Sequence, residues 1–177
     1  MYSKVHNRFF EKKTMPKEIV IIGGGPGAIE AAKAAAMAGT HVSLVHEGPL
    51  GGRAIWETML PSKAWLHAGD EIVRGHTSRS RSDLAYIAKS WGQHQEQALH
   101  KLGANLISGI ASFESPERVK VGFANKPGHE RVLHGNAFII ATGAIPVFPE
   151  GLRPDARMFL HRTCSRLWMP FPGRSSL

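Results

Sequence analysis

Ile19-Val20-Ile21-Ile22-Gly23-Gly24-Gly25-Pro26-Gly27-Ala28 carries an apolar run directly into a glycine cluster, and an alanine-rich stretch follows. A run of this kind suits a strand buried on both faces in a parallel sheet. Gly23 lets the chain turn tightly, and Gly25 lets the backbone approach a pyrophosphate with no side chain in the way. Ala28 stands where a third glycine often stands and is still small enough for close helix–strand packing. The free N–H groups at the start of the helix that follows meet the phosphate charge. This is the sequence form of a dinucleotide-binding turn.

The flanks supply the rest of the unit. Lys17–Ile22 reads as the first strand, Gly27–Ala38 as a helix stopped by Gly39, and His41–Val45 as the second strand. Gly48-Pro49-Leu50-Gly51-Gly52 is a second glycine-rich turn, followed by a helix interrupted at Pro61 that resumes through Ser62–Ala68. His76–Ser82 reads as an exposed loop, and Asp83–Lys101 as a long polar helix ended by Gly103. Short strands follow at Asn105–Ser108, Ile110–Phe113, Arg118–Phe123, Glu130–Leu133 and Ala137–Ala141, with turns at Pro116 and Pro127-Gly128. The pattern predicts an α/β fold: a parallel sheet with helices and a small antiparallel meander. Residues 1–15 are expected to be a flexible extension and 16–150 the nucleotide-binding domain; the segment from Pro146 to Leu177 is Pro- and Arg-rich with little periodicity.

The chain of 177 residues is long enough for one domain with a core. No apolar run approaches the roughly 18 residues that span a membrane, so no membrane partner is expected. Cys164 is the single cysteine, which excludes an intrachain disulfide and suits a reducing cytoplasm. The 10 histidines are scattered without metal-ligand spacing, so no metal site is expected. The formal charge of +8 raises nucleic acid as a partner. The basic residues are spread along the chain with no interleaved aromatics to stack bases, which favours a solvated basic surface.

Three blocks in order carry a resemblance: the turn at 23–28, Gly51-Gly52 followed by Pro61-Ser62-Lys63, and Phe138-Ile139-Ile140-Ala141-Thr142-Gly143. The chain resembles the N-terminal FAD-binding region of the pyridine nucleotide-disulfide oxidoreductases, a Rossmann-like domain, from about Pro16 to Glu150. The resemblance implies FAD as cofactor and NAD(P)H as electron donor. It implies that Gly23, Gly25 and Ala28 cradle the FAD pyrophosphate and that Gly51 and Gly52 let the backbone pass beside the cofactor. Lys63 would lie near the reactive edge of the flavin, where a cation stabilises negative charge on the reduced ring. Ala111 would offer backbone groups to the adenine, and Ala141, Thr142 and Gly143 would pass beside the flavin.

Three departures stand out. Members with a redox-active disulfide carry cysteines at the second and seventh positions after the Gly-Gly pair; here these are Ala54 and Met59. Thiol–disulfide exchange requires a thiolate and a partner sulfur, so dithiol substrates reduced through that disulfide are excluded. The resemblance points to a disulfide-free branch, of which the soluble transhydrogenases are an example. His46 occupies the position where an acidic residue normally accepts hydrogen bonds from the adenosine ribose, and Glu47 comes one residue later. Strand side chains alternate, so Glu47 reaches the ribose only if the strand has already ended. Finally, Ser165-Arg166-Leu167-Trp168 resembles the linker toward the family's NAD-binding half, so residues 151–177 read as an incomplete linker, with the nicotinamide site, the dimerisation domain and its catalytic His-Glu pair missing.

Three functions compete on this reading. The first is the FAD-binding module of an NAD(P)H-dependent oxidoreductase lacking the disulfide. The second is a non-catalytic truncated remnant or a nucleotide-binding partner subunit, working with a chain that supplies the missing domains. The third is a simple NAD-binding domain, which leaves the second and third blocks unexplained.

Overall fold

A computed structural model describes residues 17–75, 81–123 and 128–151, with 81–84 described by backbone alone. The extension at 1–15, most of the loop expected at His76–Ser82, Pro127, and nearly all of 151–177 with Cys164 and Ser165–Trp168 lie outside the described residues.

The first βαβ unit forms where the glycine cluster demands it. Strand β1 (Glu18–Ile22) leads into helix α1 (Pro26–Met37), and β2 (His41–His46) pairs parallel with β1, Ile21 opposite Leu44. Helix α1 buries Ala28, Ile29, Ala32 and Ala35. Mostly methyl-sized side chains on that face let the helix axis approach the sheet closely. A π-helical turn at Ala54–Thr58 runs into α2 (Met59–Val73), and α3 (Arg81–Lys101) follows. Then come β3 (Asn105–Ser108), β4 (Ile110–Ser115), β5 (Arg118–Gly122), β6 (Glu130–His134) and β7 (Ala137–Ile140).

The strands make two sheets. One is parallel, ordered β3-β2-β1-β7; the other is the antiparallel meander β4-β5-β6. Alternation along the parallel strands divides the core into two layers. Ile19, Ile21, Val42 and Leu44 face the helices and meet Ile29 and Leu99. Val20, Val45 and Ile107 face the other way and meet Val119, Val121 and Leu133 of the meander. Phe138 of β7 meets Phe113 of β4 edge-on at 5.1 Å between ring centroids, closing that layer.

The sequence expectation of a helix interrupted at Pro61 is corrected. The helix runs unbroken through Pro61, which falls in the first turn of α2, where a residue with no N–H costs little. The irregularity lies upstream, where the Met59 N–H reaches back to the Ala54 carbonyl and widens the turn. The predicted loop at His76–Ser82 also ends early, because α3 already begins at Arg81.

Gly23 is fixed by the fold itself. Its φ is +134°, and a β-carbon there would lie 2.2 Å from the Ala141 carbonyl oxygen, inside any allowed contact. Gly23→Ala is therefore expected to destabilise the chain by about 2–4 kcal/mol, from the strained backbone plus the clash. A fall in the urea unfolding midpoint at unchanged slope measures it.

Candidate functional site

The carboxyl ends of β1, β2 and β7 open onto one cleft of about 930 Å³. Strand β1 is where the winding reverses, with β2 and β3 on one side and β7 on the other. Open α/β sheets bind ligands at such a switch point. The floor is the turn Gly23–Gly27, held by Gly23 N–H to the Val45 carbonyl at 2.8 Å. The β2 side is lined by Val45, Glu47, Gly109, Ile110 and Ala111. The β7 side is lined by Ala141–Pro146, and the chain from Gly52 through Ala54, with Thr58, completes the enclosure.

The glycines of the floor have different reasons to be glycine. Gly23 is required by the Ala141 carbonyl, and Gly52, at φ +52°, would set a β-carbon 3.2 Å from the Gly25 Cα. Beyond the adjoining residues and the helix's own backbone, nothing lies within 4 Å of a β-carbon added at Gly25 or Gly27. Gly25 also has an ordinary extended backbone, φ −78° and ψ 174°, which any residue adopts. The fold leaves both positions open, and the space belongs to the cleft. Above them α1 begins with no side-chain cap and no acidic residue in its first turn. The N–H groups of that turn have no partner within the helix, so the floor is a positive pole suited to an anion.

At the end of β2 the structure resolves the question of Glu47. The strand ends at His46, and Glu47 lines the cleft. His46 turns aside: its Nδ1 lies 2.8 Å from the Gly48 carbonyl oxygen. A carbonyl only accepts, so this bond requires the proton on Nδ1. The His46 side chain also packs against Gly24, where an added β-carbon would meet its Cβ at 3.0 Å.

Of the residues expected from sequence, the cleft gathers Gly23, Gly25, Pro26, Gly27, Glu47, Gly52, Ala111, Ala141, Thr142 and Gly143. Four expected residues stand elsewhere. Ala28 is fully buried under α1 against the sheet. Gly51 is packed beneath Ile55 and Trp91, with its N–H bonded to the Gly24 carbonyl at 2.7 Å. His46 faces Gly48, and Lys63 is exposed on α2, outside the cleft. Sequence reading missed Arg53, Thr58 and the Ala144–Pro146 wall. Among the described residues no cluster of three or more His, Cys, Asp or Glu gathers to hold a metal, and no helix is long and apolar enough to cross a membrane.

The model of one family, pyridine nucleotide-disulphide oxidoreductase, matches residues 17–166. The chain belongs to that family. It is 30% identical over 165 residues to a dihydrolipoyl dehydrogenase of Chlorobaculum parvum, covering 85% of this chain and 35% of that protein. It is 29% identical to a glutathione reductase of Schizosaccharomyces pombe, covering 75% and 32%. Among solved structures, LpdA from Mycobacterium tuberculosis superposes with a TM-score of 0.66 at 26% identity, over 81% of this chain and 35% of that one. The chain thus spans about a third of the length of the relatives it matches.

Ala54 lines the cleft and Met59 begins α2, and neither side chain carries a thiol for exchange. Gly25 gives a clean test of the cleft. Gly25→Ala is expected to leave the unfolding free energy within about 0.5 kcal/mol. The same substitution should weaken ADP binding at least about tenfold by filling the anion seat, which titration calorimetry reads.

Proposed function

We propose that this chain is the FAD-binding part of an NAD(P)H-dependent flavoprotein oxidoreductase that works without a redox-active disulfide. The carrying observation is the open cradle at Gly25 and Gly27, beside a cleft whose lining has alanine where the first redox cysteine belongs. FAD, when bound, supplies the ring that accepts and returns electrons. The chain supplies the seat. On this reading the backbone of Gly23–Gly27 takes the diphosphate and the Glu47 carboxylate accepts from the ribose hydroxyls. Ala111 borders the adenine, and Thr142 and Gly143 flank the flavin half. With Ala54 and Met59 at the thiol positions, electrons leave for a non-thiol acceptor such as a second nicotinamide, a quinone or oxygen. Lys63 acts on the flavin only if α2 brings its flexible side chain inward from the exposed face.

A specific observation favours a partner as well. Ile145 and Val147, on the chain leaving β7, are 76% and 89% exposed, and Val73 at the end of α2 is 88% exposed. On this reading those exposed apolar side chains face further domains or another chain.

Reconstitution decides the proposal. Protein incubated with FAD and freed of excess is expected to keep a structured flavin band in the visible spectrum, and to show no dithiol-disulfide reductase turnover. A colourless protein overturns the assignment and leaves the non-catalytic partner reading. Glu47→Ala should weaken FAD about tenfold or more, the worth of a hydrogen bond to a charged group, while His46→Ala should leave it within about twofold.

A further inference from the structure

Among the described residues Arg53 is the one cation in the cleft lining, and the function above does not use it. Its place is set by backbone packing. Gly51 N–H bonds to the Gly24 carbonyl and Gly52 lies against the Gly25 Cα, so the next residue emerges beside the anion seat. From there the side chain spans the cleft: Nη1 donates to the Ala144 carbonyl at 2.9 Å, and Nε donates to Glu57 Oε2 at 3.0 Å. Glu57 lies one turn along the same segment and pairs with the guanidinium. Those two bonds use two of the five N–H groups a guanidinium carries. The side chain is only 35% exposed, so its charge is less screened than on an open surface.

We propose that Arg53 is a specificity-determining cation for the diphosphate of the bound dinucleotide, standing beside the seat at the α1 N-terminus. This rests on the nucleotide reading of the cleft. The physical case is additive. Helix N–H groups approach from below, no acidic residue of α1's first turn opposes them, and a guanidinium with its planar fork stands alongside. Arg–phosphate bonds are about twice as strong as neutral ones. The same side chain also straps the 51–58 segment to the wall after β7, so charge and strap must be separated by experiment.

Arg53→Lys keeps the charge; Arg53→Gln keeps a donor for Ala144 without it. With ADP as probe, Arg53→Lys is expected to bind within about threefold of the wild type and Arg53→Gln about tenfold more weakly at low salt. The gap should narrow in about 0.5 M salt. Adenosine, which has no phosphate, should bind both variants alike. Equal ADP binding by Arg53→Gln and wild type overturns the proposal, as does a matching loss for ADP and adenosine, which assigns Arg53 to the strap alone. Wild type that binds neither ADP nor FAD removes the nucleotide reading itself, a separate failure. A second readout needs no variant: ADP should slow phenylglyoxal modification of Arg53, followed by peptide mass spectrometry, and an unchanged rate overturns the proposal.

Discussion

The structure depends on a meeting of backbones that leaves no space for a β-carbon. Gly23 sits against the Ala141 carbonyl while its own N–H bonds to the Val45 carbonyl, and the Ala141 N–H bonds to the Ile22 carbonyl. Three strand ends are thereby drawn together at one point. A side chain at residue 23 would part β1 from the chain leaving β7, and the cleft between their ends would lose its floor. The close approach is also what aims α1 into the cleft, because only three residues separate the end of the strand from the start of the helix.

Around that point the two core layers do separate work. Aliphatic residues and small alanines on the helix face fix the depth at which α1 lies on the sheet. The meander layer, through Val119, Val121 and Leu133, holds β4 so that Gly109–Ala111 reaches the cleft beside Glu47. Gly109 N–H bonds to the His46 carbonyl at 2.9 Å, joining the start of the meander to the end of β2. The cleft is thus bounded on the β2 side by a second sheet, on the β7 side by the chain leaving β7, and closed by the 50–58 segment, which is tied with polar bonds. There Trp56 Nε1 donates to the Leu50 carbonyl and Thr58 Oγ1 to the Arg53 carbonyl. In a family named for its disulfide, this chain keeps the segment in place with hydrogen bonds and an ion pair.

Sequence alone determined the βαβ unit, the order of strands and helices, the meander and the family. Each is written in local signals: glycines where φ must be positive, apolar runs bounded by turn residues, and blocks whose order chance does not supply. Alternation also stated the condition for Glu47, that β2 must end at His46. It did not say that the condition is met, because strand ends depend on which neighbours continue to pair. Tertiary structure alone decided that His46 turns to Gly48, that Lys63 stands outside the cleft, and that the helix irregularity lies before Pro61. It also decided which glycines serve the fold and which serve the cleft, and it brought Arg53 to Ala144, a residue 91 positions away in sequence. The physical reason is common to all of these. Local pattern fixes φ, ψ and periodicity over a few residues, whereas the direction and partner of a side chain are set by whatever distant backbone packs against it.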